Sequence, residues 1–117
     1  SLQEIVRLVG MDSLDYNDRL KLNAAAMIRE DFLHQNAFDK VDTYTSLDKQ
    51  YLILNIIFEW YEKALQAITK YVRYERIVSM PVLEEIGRLK YVQEDEFETA
   101  YQDVRNRMNE QFDKLGE

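Results

Sequence analysis

Residues 47–72 read LDKQYLILNIIFEWYEKALQAITKYV. Leu47, Tyr51, Leu54, Phe58, Tyr61, Leu65, Ile68 and Val72 recur at alternating steps of four and three, the spacing of one helix face. Ile53, Ile57, Trp60 and Ala64 add a second flank beside it. The pattern predicts a long central helix over about residues 46–72, with an apolar face wide enough to be buried on more than one side. Thr45 or Ser46 suits its N-cap, and Asp48 in the first turn suits the helix dipole.

Helical spacing continues outward in both directions. Upstream, Leu2, Ile5, Val6 and Val9 form a short amphipathic pattern that stops at Gly10, where helices commonly terminate. Asp15 is the next N-cap, with Asp18 at the third helical position in a variant of the capping box. Leu20, Ala24, Ile28 and Phe32 then repeat every four residues with Met27 beside them, which predicts a helix to about His34. Residues 36–45, containing VDTYTS, lack the pattern and are expected to form an ordered loop with extended backbone. Downstream, Met80–Pro81 marks a start, since proline suits a first helical turn. Val82, Ile86 and Leu89 predict a short helix ending around Tyr91. A final helix from about Glu94 carries Phe97, Tyr101, Val104, Met108, Phe112 and Leu115 in one stripe, with Gly116 just beyond. Three glycines and one proline leave little material for tight hairpins. The fold class is all-α: one helical domain over residues 1–117, a compact bundle of five or six helices.

At 117 residues the chain is long enough to bury a real core. Apolar residues make up 46% and charged residues 32%, the balance of a globular chain rather than a disordered one. A net charge of -7 and a pI near 4.8 would repel a phosphate backbone, so nucleic acid is not an expected partner. No apolar run approaches the ~20 residues of a membrane span, so no direct insertion is expected. The absence of cysteine removes disulfides and thiolate metal sites, and fits a reducing compartment. The chain opens on Ser1 rather than Met, which we read as an excised fragment carrying a cloning scar.

Catalytic motifs are missing. None of Gly10, Gly87 and Gly116 is followed by lysine, so there is no G-x-x-x-x-G-K-[ST] phosphate loop. H-E-x-x-H, C-x-x-C and G-x-S-x-G are absent too. His34, the single histidine, sits near a helix end, where a solvated dipole partner is the plain reading. Glu84–Glu85 and 94–96 are acidic pairs of the kind that line solvated faces and first turns. No catalytic residue and no metal site are expected in this chain.

Residues 10–38, GMDSLDYNDRLKLNAAAMIREDFLHQNAF, carry a specific resemblance. The stretch is similar to the C-terminal helical domain of rotary ATPase catalytic subunits, and most similar to the A subunit, or alpha chain, of the A-type and V-type enzymes. In the related F-type enzymes a Gly-Met pair precedes D-E-L-S-E-E-D. Asp12, Leu14 and Asp18 match that motif at the same spacing, while Ser13, Asp15, Tyr16 and Asn17 depart from it. Residues 28–51 follow the alpha-chain pattern with His34 and Asp39 as local departures. The resemblance is full from Leu2 to about Tyr51 and weaker from MPVLEEIGRLKY onward.

The resemblance implies a parent enzyme that couples ATP synthesis or hydrolysis to proton or sodium transport. ATP or ADP with Mg would be held elsewhere in that parent, and no cofactor by this chain alone. It implies that Met11, Asp12, Leu14, Asp15 and Asp18 form an elbow facing the central stalk. It also implies that Phe38 contacts the adenine of bound nucleotide, with Phe32 in support and Gln35 and Asn36 as polar neighbours. Phe32 also continues its helix stripe, so core packing competes evenly for that ring. The implied partners are the central stalk and the neighbouring A and B subunits, in a cytoplasmic head peripheral to the membrane. Composition alone fits a different reading, a free-standing helical protein-interaction module docking through the 47–72 face or the acidic elbow.

Overall fold

The computed structural model describes residues 15–33 and 47–116. The short helix expected over residues 2–9, the loop at 36–45 and the Thr45 or Ser46 cap lie outside them. No strand occurs among the described residues.

Helix α1, Tyr16–Met27, starts where its local chemistry directs. Asp15 is extended (φ -73, ψ 170), and its side chain accepts the backbone N–H of Asp18 at 2.8 Å. The helix buries Leu20 and Ala24. It then widens into a π turn, Ile28–Leu33, instead of continuing as α-helix to His34.

Helix α2, Leu47–Thr69, is the central element but shows its other face to the core. Lys49, Ile53, Ile56, Ile57, Trp60, Ala64 and Ala67 are its buried residues. The stripe that began at Leu47 points outward at its start: Leu47 is 82% exposed, Tyr51 67% and Phe58 47%. Only its later members, Tyr61, Leu65, Ile68 and Val72, are packed against the core. The flank read as secondary is therefore the buried face. The apolar face is wider than one packing contact, so the elements packed against it decide which part of it is covered.

The helix ends three residues before Val72. The Tyr71 N–H bonds to the Ile68 carbonyl and the Val72 N–H to the Ala67 carbonyl, each at 3.0 Å. These are the paired bonds of a Schellman ending, whose left-handed residue is usually glycine. Here it is Tyr71, at φ 66.

Helix α3, Tyr74–Ile77, follows, then α4, Val82–Arg88, continued by a 3₁₀ turn, Leu89–Tyr91, and finally α5, Glu94–Leu115. The start of α4 is capped from a distance. Pro81 supplies no side-chain cap, and the Val82 N–H donates to Gln111 Oε1 of α5 at 3.0 Å. Helix α5 buries Phe97, Tyr101, Val104 and Met108 and ends at Gly116, as its stripe predicts.

Two polar links join α2 to α5. Asn55 Nδ2 donates to the Tyr101 hydroxyl at 3.2 Å, and Arg105 grips Glu59 through Nε at 3.0 and 2.9 Å and Nη2 at 2.7 Å. Both span 46 residues of sequence, so the helices run parallel in constant register. Trp60, fully buried, stands in the middle of the core with Ile56, Ile57, Ile86 and Met108.

Candidate functional site

One end of the molecule is built around the start of α1. The Tyr16 and Tyr74 rings stack with centroids 5.5 Å apart at 25°. The Arg19 guanidinium lies 5.2 Å from the Tyr16 centroid and 5.5 Å from that of Tyr74, within cation–π reach of both. One turn on, Asn23 Nδ2 donates to the Tyr74 hydroxyl at 2.7 Å. The first two turns of α1 are thus fastened to the segment that follows α2. Asp15, Tyr16 and Asn17 are nevertheless exposed, and Asp18 is half-buried. The described part of the elbow does not lie beneath other helices. Met11, Asp12 and Leu14 lie outside the described residues.

The opposite end gathers the π turn, the start of α2 and the 3₁₀ turn. Lys49 is 1% exposed, and its ammonium donates to the carbonyls of Lys90, at 3.0 Å, and of Val92. It also stands 5.4 Å from the Phe97 ring. A buried cation needs such partners to offset its desolvation. Lys90 in turn donates to the Glu30 carbonyl at 2.8 Å, which ties the π turn to the same knot. Asp31 packs against α4 so closely that a Cβ on Gly87 would sit 3.3 Å from its Oδ1. Burial there pushes the Asp31 carboxyl up to about 6, with the Lys90 charge opposing the shift and the Glu30 charge adding to it.

Phe32 belongs to this π turn by its backbone. His34, Gln35, Asn36 and Phe38 lie outside the described residues, so the four adenine-side residues are not brought together by anything described. Asp15 and Asp18 are brought together, as cap and capped position. The two ends are separated by the whole of α1 and the π turn, roughly 25 Å at the rise of a helix. Because α1 starts beside Tyr74 and ends beside Lys90 and Lys49, it runs antiparallel to α2.

Sequence reasoning missed Lys49, Asp31 and the Tyr16–Arg19–Tyr74 stack. Lys49 had a signal, since it lies four residues before Ile53 on the buried register. Tyr74 had none, because its partners stand far upstream. The acidic pairs behave as expected: Glu84 pairs with Arg88 one turn on at 3.9 Å, and 94–96 occupy the exposed first turn of α5. Glu85 instead reaches across to Arg107 Nε at 2.6 Å. Among the described residues no group of three His, Cys, Asp or Glu could hold a metal ion, and no helix is long and apolar enough to cross a membrane.

Comparison with known proteins agrees with the resemblance. The family profile for the C-terminal domain of V and A type ATP synthase matches residues 1–78. The V-type ATP synthase alpha chain of Acetivibrio thermocellus is 48% identical over 114 residues, covering 97% of this chain and 19% of the relative. That of Clostridioides difficile shows the same identity and coverage. The A subunit of the A-type ATP synthase of Methanosphaera stadtmanae is 43% identical over 116 residues, 99% of this chain and 20% of the relative. The chain belongs to the family of V- and A-type ATP synthase C-terminal domains, and similarity extends through α5, past the residues where the profile stops. It spans about a fifth of the length of these relatives.

Proposed function

We propose that this chain is the C-terminal domain of the catalytic alpha chain of a rotary A/V-type ATPase, which couples ATP synthesis or hydrolysis to ion transport. The identity of 43–48% with proteins of that name, across nearly the whole chain, carries this reading. The domain performs no chemistry in it. Phosphate loop, general base and arginine finger belong to the larger parent, as do ATP or ADP and Mg.

The role left to this chain is transmission between two corners. The elbow of Met11, Asp12, Leu14, Asp15 and Asp18 meets the central stalk, and Phe38, with Phe32, Gln35 and Asn36, lies along the adenine. Neighbouring A and B subunits complete the head, which stands peripheral to the membrane in the cytoplasm. A transmission element has to be stiff, and α1 is fastened to its neighbours near both ends, by the Tyr16–Arg19–Tyr74 stack and by the Lys49–Lys90–Glu30 knot. Its rim charges would tune approach to the stalk more than affinity. Stacking on a base contributes about 1–3 kcal/mol, while millimolar binding already requires about 4 kcal/mol. The separated chain is therefore expected to hold nucleotide at best at millimolar strength and to show no ATPase turnover.

The reading frame upstream of Leu2 in the native gene tests the assignment. Several hundred residues carrying G-x-x-x-x-G-K-[ST] are expected, and a start codon near Leu2 would instead make the chain a free-standing interaction module. The stalk contact is tested by capture of the stalk protein on the assembled head. Capture should weaken with salt and with Asp12→Lys, and indifference to that charge reversal would remove electrostatic contact from the elbow.

A further inference from the structure

Tyr71 holds a backbone conformation that costs a bulky side chain energy, at φ 66, where glycine would fit freely. Its ring gives the fold nothing in return, being 94% exposed. A shallow groove of about 460 Å³ adjoins it, lined by Tyr16, Ile68, Val72 and Tyr74 together with Arg73 and Glu75. The groove is continuous with the described elbow through Tyr16, which follows the Asp15 cap directly and is itself 47% exposed.

We propose that Tyr71 and this groove form a second contact surface for the same polypeptide that meets the elbow. The inference rests on the stalk-facing reading of that elbow and extends it from the acidic residues to an aromatic patch beside them. A surface approaching Asp15 and Asp18 passes over Tyr16 before it reaches the groove, so one occupant serves both. The chemistry fits a polypeptide with an apolar knob or hollow flanked by charges. Exposed tyrosines anchor protein interfaces because the ring desolvates a large area at little entropic cost, while Arg73 and Glu75 offer one charge of each sign. The patch lies at the far end from the π turn, so a nucleotide held beside Phe32 would not reach it.

In the full-length protein, assembled with its partners, a benzophenone amino acid placed at position 71, and separately at position 18, decides the matter. Both positions are expected to capture the central stalk protein. Capture from 18 but not from 71, or capture of a different partner from 71, overturns the groove while sparing the elbow. Failure at both positions overturns the elbow reading itself and the groove with it. Tyr71→Gly separates docking from folding. It should weaken stalk binding on the order of tenfold while raising the melting temperature of the full-length protein, and Tyr71→Phe, which keeps the ring, should bind like the parent. Unchanged stalk binding by Tyr71→Gly would overturn the proposal.

Discussion

The two ends of α2 are built on opposite plans. At its start a lysine is drawn fully inside, where the ammonium closes off two carbonyls just after α4 and lies over the Phe97 ring. At its finish a tyrosine is held wholly outside, in a backbone conformation that disfavours it. The first end places a polar residue in the core and satisfies it. The second places an aromatic residue in water and leaves its ring unburied. Composition alone predicts the reverse arrangement. The difference shows that the Lys49 end is specified by the fold's own polar needs, while the Tyr71 end carries a residue the fold does not require.

The largest expected effect lies at the buried end. Lys49→Met keeps the stem but strands two carbonyls, and should lower stability by about 2–4 kcal/mol, hydrogen bonds to charged groups being the strong kind. Urea unfolding would read this as a lower midpoint at unchanged slope; a loss under about 0.5 kcal/mol, well short of a charged hydrogen bond, would dissolve the contrast. At the other end the sign reverses. Tyr71→Gly should raise stability by about 0.5–1 kcal/mol, the left-handed penalty less the extra chain entropy of glycine. Between the ends, Glu59→Gln loosens the forked grip of Arg105 and should cost about 0.5 kcal/mol, since both groups are partly solvated.

A change of slope with pH tests the Lys49 end by a different reading. Asp31 holds its proton in the folded chain up to about 6 against a usual value of 3.8. The folded state therefore binds more protons between those limits, and the stability this carboxyl contributes is fully present below pH 3.8 and lost as pH rises through about 6. Asp31→Asn should flatten that decline and leave the molecule at neutral pH as stable or more so. A parent and variant with parallel pH profiles would show that the carboxyl is not perturbed.

How much of this was legible in the sequence varies from helix to helix for physical reasons. The α5 stripe was readable in full, because polar residues fill nearly every position outside Phe97, Tyr101, Val104 and Met108. The Asp15 cap was readable because capping is local, spanning three residues. The buried face of α2 was not, since Leu47, Tyr51 and Phe58 compete with Ile53, Ile57 and Trp60 on nearly equal terms. Helix α3 is only four residues long and carries no period of its own. Nor does any local signal anticipate contacts such as Asn23 with Tyr74, 51 residues apart, or Glu30 with Lys90, 60 apart. The candidate site is divided likewise. The cap that fixes the elbow could be read directly, whereas the stack and the lysine knot that hold α1 exist only in the folded chain.

The amide of Val82 leans on Gln111, a residue only a few positions from the chain's last turn. Trimming the tail would therefore be felt well upstream. Without that acceptor the first turn of α4 frays, and α4 carries the Gly87 surface on which Asp31 is seated. A proteolytic nick near residue 110 should thus announce itself in the amide exchange of residues 28–33, at the far side of the molecule from the cut.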